Sequence, residues 1–222
     1  MYRALAYKEW LKIRWFTVGA VGIEILALLY IFTNLRAILE FNNVIAVWSS
    51  IVYKNYMFFN SVKYLPLAIG ITISVAQYLP EVIDKKLKLT LHLPLEESRV
   101  LLFLNLFGTM ILSVLNLLLV TVLIIGTSMV FPAEIVWAEF ITLIPWVLAG
   151  YLGYFFTSSI LIEPSWQRKT VMAIVGFFMI NIYLVDAIYG AYIGIIIPLL
   201  IITLLYNYLH MLPGFRFKRG LK

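Results

Sequence analysis

Residues 100–131 read VLLFLNLFGTMILSVLNLLLVTVLIIGTSMVF, 32 positions without one Asp, Glu, Lys or Arg. A hydrocarbon core about 30 Å thick is crossed by about 20 helical residues, so this run is long enough to span it with length to spare. Working outward, five further apolar runs lie at 15–33, 64–79, 137–162, 171–189 and 192–212. The last two nearly merge, and Asp186, Gly190 and the tyrosines between them supply the turn. The expected fold is all-α: a polytopic integral membrane protein with about six transmembrane helices, forming a single transmembrane domain over 1–222. Composition agrees, with 63% hydrophobic residues, 13% charged and a mean hydropathy of +0.97. A soluble chain of that composition would have to expose much apolar surface to water.

Charge gives the orientation. The 17 Lys and Arg outnumber 11 Asp and Glu, for a net charge of +6, but they sit in short segments between apolar runs. With six spans, fourteen of the seventeen fall on one side and three, Arg36, Lys54 and Lys63, on the other. The positive-inside rule then makes both termini cytoplasmic and the chain a multi-pass protein of the cell's inner (cytoplasmic) membrane. Cations so placed set topology and meet the lipid bilayer; they do not build a nucleic-acid face. The first run is not followed by a small-residue cleavage site and reads as a retained helix.

Residue types narrow the chemistry further. There is no cysteine, and the two histidines, His92 and His210, lie far apart next to membrane boundaries. Thiolate metal sites and paired-histidine haem sites are thereby removed, and no cofactor or metal is expected on this chain. The sequence contains no G-x-x-x-x-G-K-[ST] run. Acid, base and nucleophile groups are scattered over several membrane depths, whereas an enzyme at the lipid interface needs them together, so no catalytic residue is assigned.

The segments outside the runs differ in size. Residues 1–14 place Tyr2, Ala6, Trp10 and Ile13 on one stripe between basic flanks, as an interfacial helix would, with Glu9 interrupting the stripe. Residues 34–63 form the one sizeable external loop, with 44–52 and 56–59 apolar and aromatic enough to lie along the headgroups. Residues 80–99, PEVIDKKLKLTLHLPLEESR, are the most specific piece of the chain. Leu87, Leu89, Leu91, Leu93 and Leu95 alternate with polar residues as in a strand. The start favours helix instead: Pro80 suits a first turn, Glu81 and Asp84 suit a helix N-terminus, and Lys85, Lys86 and Lys88 follow.

An N-terminal amphipathic segment leading into the first span, six spans, and an acidic, basic and leucine-rich link with a Leu93-Pro94-Leu95 step before a long third span together resemble the permease subunits of ATP-binding-cassette transporters of the type-2 exporter class. The resemblance implies that the 80–99 link is a coupling segment docking on separate cytoplasmic ATPase subunits, which hold ATP and Mg. It also implies a second permease copy or homologue completing the pathway. Carried residue by residue, the implied coupling set is Glu81, Asp84, Lys85, Lys86, Lys88, His92 and Glu96, with Glu97 beside it. The family's re-entrant hairpin before the last span has little room between Asp186 and Tyr192.

Inside the spans, Asn105, Thr109, Ser113, Asn116 and Thr127 share one face of the third, flanked by Gly108. Polar groups on acyl chains are costly, so that face either packs on other helices or lines a pathway. Gly150, Gly153 and Thr157 make a small-residue packing face in the fourth span. Glu24 lies near the middle of the first span, a functional candidate by its depth. Glu134, Glu139 and Asp186 are expected at interfaces and solvated. The leading expectation is a non-enzymatic, ATP-driven permease subunit. An ion-coupled secondary transporter using Glu24, a non-transporting assembly subunit and a lipid-modifying membrane enzyme are the alternatives.

Overall fold

The computed structural model describes residues 2–41, 47, 49–51, 53, 56–83, 97–185, 188–209 and 212–219. Among the described residues every regular element is helical. The longest are α1 (Tyr2–Phe41), α2 (Leu65–Ile83), α3 (Glu97–Ser128) and α4 (Ala133–Ile162). They are followed by α5 (Trp166–Tyr183), α6 (Ile196–Leu209) and the short α7 (Leu212–Arg219). Five stretches are long and apolar enough to cross a membrane: Tyr2–Glu40, Asn60–Ile83, Ser98–Ser128, Ala133–Ile162 and Ile196–Gly214. Helix α5 is not among them, because it opens on Gln167, Arg168 and Lys169.

The solvent of this surface is lipid. Large apolar side chains point outward from α1 (Trp15, Leu26), α5 (Phe177, Phe178) and α6 (Ile197, Leu204), while Glu9, Glu24, Gln77, Glu81, Asn105, Asn116 and Glu139 are buried. Water would penalise those exposed apolar side chains, and hydrocarbon would not.

Helix α1 departs from expectation. No proline interrupts it and its first glycine is Gly19, so its 40 residues form one rod of about 60 Å, twice the thickness of a hydrocarbon core. Residues 2–14 do not form a separate interfacial helix but belong to the same helix as the span. Its buried stripe is Leu5, Glu9 and Ile13, continuing through Ala20, Glu24, Leu28, Ile31 and Leu35; Tyr2 and Trp10 face outward. The residue that interrupts the apolar stripe, Glu9, is itself a core residue, because its partners lie inside the bundle.

The segment expected as an external loop over 34–63 is shorter and more buried than its composition implies. Its first eight residues belong to α1. Phe58 and Phe59 turn inward: Phe59 packs on Trp146 and Tyr189 at 5.5 and 5.7 Å between ring centroids, and Phe58 stacks on Phe131 at 5.4 Å. These rings plug one end of the bundle, where aromatic surface gains more from mutual packing than from the headgroup region.

Helices α2 and α4 form the most extensive pair. Gly70 and Gly150 meet at their crossing: a methyl group on Gly70 would run into the carbonyl of Gly150, and one on Gly150 would lie 2.7 Å from the carbonyl oxygen of Pro66. Close backbone approach through small residues is the ordinary glue of membrane helices. Pro80 lies inside α2 and does not begin a new element. The helix therefore carries Glu81 into the bundle on its last turn. Between α5 and α6 the chain turns over Leu184, Val185 and 188–195, with Gly190 at φ +71°. Asp186 lies outside the described residues.

Candidate functional site

The densest polar chemistry lies where the N-terminal part of α1 meets the last turn of α2. Lys12 directs its ammonium at three acceptors: a carboxylate oxygen of Glu9 at 2.6 Å, one of Glu81 at 3.1 Å, and the carbonyl of Gln77 at 3.3 Å. The contacts to Glu81 and Gln77 are hydrogen bonds, and the one to Glu9 is an ion pair. Lys8, half-exposed, closes on Glu81 at 2.8 Å. Two cations and two anions make the cluster neutral as a whole.

A hydrogen-bond chain carries the cluster into the other helices. The Gln77 amide donates to the Leu104 carbonyl of α3 at 2.8 Å, and its oxygen accepts from the Tyr154 hydroxyl of α4, also at 2.8 Å. Tyr154 lies 3.4 Å from the Tyr78 hydroxyl. Gly108 makes the room, since a methyl group there would collide with the Tyr154 hydroxyl and the Gln77 oxygen. Helices α1, α2, α3 and α4 are thus joined at one end by side chains that are almost all buried. Such a node resists relative motion of the four helices, since breaking it leaves charges or amides without partners in a medium of low dielectric.

A second ionic cluster stands at the same end. Glu163, just after α4 and fully buried, accepts from Arg216 at 2.9 Å and lies 3.7 Å from Arg168. It ties the α4–α5 link to α7, and Gly214 of α7 rests on Leu101 of α3.

Of the coupling residues implied by resemblance, Glu81 is turned inward against Lys8 and Lys12 and is not presented to a partner. Asp84, Lys85, Lys86, Lys88, His92 and Glu96 lie outside the described residues. The physical reason for the position of Glu81 is the continuation of α2 through Pro80, which turns that carboxylate toward α1.

The polar seam of α3 divides among neighbours. Asn105 donates to Asn207 of α6 at 2.6 Å. Ser113 shares a 2.6 Å hydrogen bond with Tyr151 of α4. Thr109 returns its hydroxyl to the Asn105 carbonyl and Thr127 to that of Leu123, at 3.0 Å each. Asn116 is buried with neither amide atom hydrogen-bonded. Glu24 is likewise 0% exposed, with no hydrogen-bond partner for either oxygen. Tyr2 against Phe103, at 5.5 Å, and Phe32 against Gly126 set α1 and α3 side by side and parallel. That register brings Glu24 to within about one helical turn of Asn116 in depth.

Glu139 corrects the expectation of a solvated interface acid: it is 0% exposed. Helix α4 starts at Ala133, so Glu139 lies well past the turn, on the buried stripe of Ile135, Thr142, Leu143 and Trp146. The i, i+4 spacing of Ile135, Glu139 and Leu143 was the sequence signal that could have found it. Lys12, Gln77 and Tyr154 were not singled out either. The signal for Lys12 was Glu9 itself, an acid on an apolar stripe three residues before a lysine.

Fold and polar core together describe a polytopic helical protein, with helices long and apolar enough to cross a membrane, in which two ion-pair clusters stand at one end of the bundle. No family model, curated protein or solved structure matches the chain. Its function is therefore argued from these contacts and from the layout of the sequence.

Proposed function

We propose that this chain is the permease subunit of an ATP-driven transporter, an exporter, working with a second permease copy or homologue and with separate cytoplasmic ATPase subunits. In this reading α5 is a sixth span, both termini are cytoplasmic, the membrane is the inner one, and the 84–96 link meets the ATPase. One observation carries it. The last turn of α2, which leads directly into that link, is held to α1, α3 and α4 through Glu81, Lys12, Gln77 and Tyr154. A displacement applied at the link would therefore move four helices together, which is what coupling a remote motor to a membrane passage requires. Purifying the tagged chain from its native membrane tests the proposal. An ATPase subunit should accompany it, and replacing Lys85, Lys86 and His92 together should uncouple hydrolysis from transport. A chain that comes out alone and still moves substrate refutes it.

A second reading rests on Glu24 and Asn116, two buried polar side chains without partners at neighbouring depths. Intramembrane carboxylates mark ion and proton pathways. In that reading the chain is an ion-coupled secondary transporter, and Glu24→Gln abolishes ion-driven flux while leaving any ATPase complex intact.

A further inference from the structure

A crevice of about 220 Å³ opens on the flank of the bundle between α4, α5, α6 and α7. Phe156, Val171, Val175, Tyr206 and Leu212 line it with apolar surface, and Arg216 stands at its edge. The volume falls below the roughly 300–1,000 Å³ of pockets that enclose a whole small molecule. It has room for a segment of hydrocarbon chain, with any polar head left outside.

Charge specifies the head. Arg168, Lys169 and Arg216 gather at this end of the crevice, and among them the anion is Glu163, bonded to Arg216 at 2.9 Å and 3.7 Å from Arg168. Among the described residues the local balance is three cations against one anion, an excess of two positive charges. Trp166, 81% exposed, lies beside Lys169, whose ammonium sits 5.5 Å from the indole centroid. Exposed tryptophan next to lysine and arginine is the side-chain set of the headgroup layer. The apolar crevice, and beside it an exposed indole with excess cation at the start of α5, offer surfaces matched to the acyl chain and to the headgroup of a lipid.

We infer that this flank is a binding site for an anionic glycerophospholipid, with one acyl chain in the crevice between α5, α6 and α7 and its phosphate at Arg168 and Lys169. The site is independent of whether the chain transports anything. A lipid there would bridge α5, which buries little of its own surface, to the rest of the bundle.

The test uses the full chain reconstituted in vesicles of phosphatidylcholine with trace spin-labelled phosphatidylglycerol or phosphatidylcholine, reading the motionally restricted fraction of each. A juxtamembrane cation favours an anionic lipid by about fivefold, so the wild type should restrict phosphatidylglycerol at least that much more strongly than phosphatidylcholine. Arg168→Gln with Lys169→Gln leaves the Glu163–Arg216 pair in place and should bring the two lipids to within about twofold of each other. Val175→Trp, on a lipid-facing position that tolerates bulk, should reduce restriction of both labels by blocking the chain. Arg36→Gln, at the far end of α1 and 81% exposed in its side chain, should change neither. Equal restriction of both lipids by the wild type, undiminished selectivity in the double variant, or an equal loss with Arg36→Gln would each overturn the assignment.

Discussion

Replacing Lys12 with Met removes one ammonium from between two buried carboxylates and leaves almost all of the side-chain volume in place. In the native protein Lys12 lies 2.6 Å from Glu9 and 3.1 Å from Glu81, whose side chains are 0% and 2% exposed. Lys8 can still hold Glu81 at 2.8 Å, whereas Glu9 would lose the ammonium that lies directly against it. Deleting one partner of a buried pair costs about 3–5 kcal/mol. Lys8→Met should cost far less, about 1 kcal/mol or under, since Lys8 is 39% exposed and its charge is largely screened. Adding Glu9→Gln to Lys12→Met should recover much of the loss, because a neutral amide is far cheaper to bury than an unpaired carboxylate. Unfolding in detergent micelles, followed by helical circular dichroism against denaturant, measures all three variants and the interaction term between Lys12 and Glu9. If Lys12→Met lies within about 0.5 kcal/mol of the wild type, or if Lys8→Met is equally damaging, the cluster does not hold these helices together.

Two further substitutions test the packing. Gly70→Ala should destabilise by about 1–3 kcal/mol, because its methyl group meets the Gly150 carbonyl and backbone cannot yield as a side chain does. Gly19→Ala, where an added methyl group meets nothing within 4 Å, should be neutral or stabilising by up to about 1 kcal/mol. Reversed signs in the same unfolding assay would refute the α2–α4 crossing. Glu139→Leu should raise the midpoint of unfolding, since it exchanges a buried carboxyl group without a hydrogen-bond partner for an apolar side chain. A solvated Glu139 would give no change or a loss.

Much of the fold was legible because a membrane imposes a length rule. Runs of about 20 apolar residues located α2, α3, α4 and α6 to within about four residues, though not the ends of α1, and small residues at Gly150 and Gly153 identified a face that does pack closely. The site was less legible. Glu81 was named, but for the outward role that the family resemblance implies, with Pro80 just before it suiting a helix start. Pro80 is instead tolerated near the C-terminal end of α2, and that difference turns Glu81 from a contact for another chain into an internal partner of Lys8 and Lys12. Residues 56–59 looked interfacial by composition, yet Phe58 and Phe59 find better partners in Phe131, Trp146 and Tyr189, which lie 70 or more positions further along the chain.

By itself the sequence determined the solvent: uninterrupted apolar runs of about 20 residues and the placement of charge point to helices in lipid, where each helix satisfies its own backbone groups. Only the tertiary structure decided which polar side chains face inward. Glu9, Gln77, Glu139 and Tyr154 are polar in any listing, and their burial depends on the rotation of each helix about its axis and on its depth against its neighbours. Those two quantities are fixed by contacts between residues far apart in the chain, such as Gly70 with Gly150 and Lys12 with Glu81. Periodicity within one segment gives the shape of a helix but not the partner it turns toward.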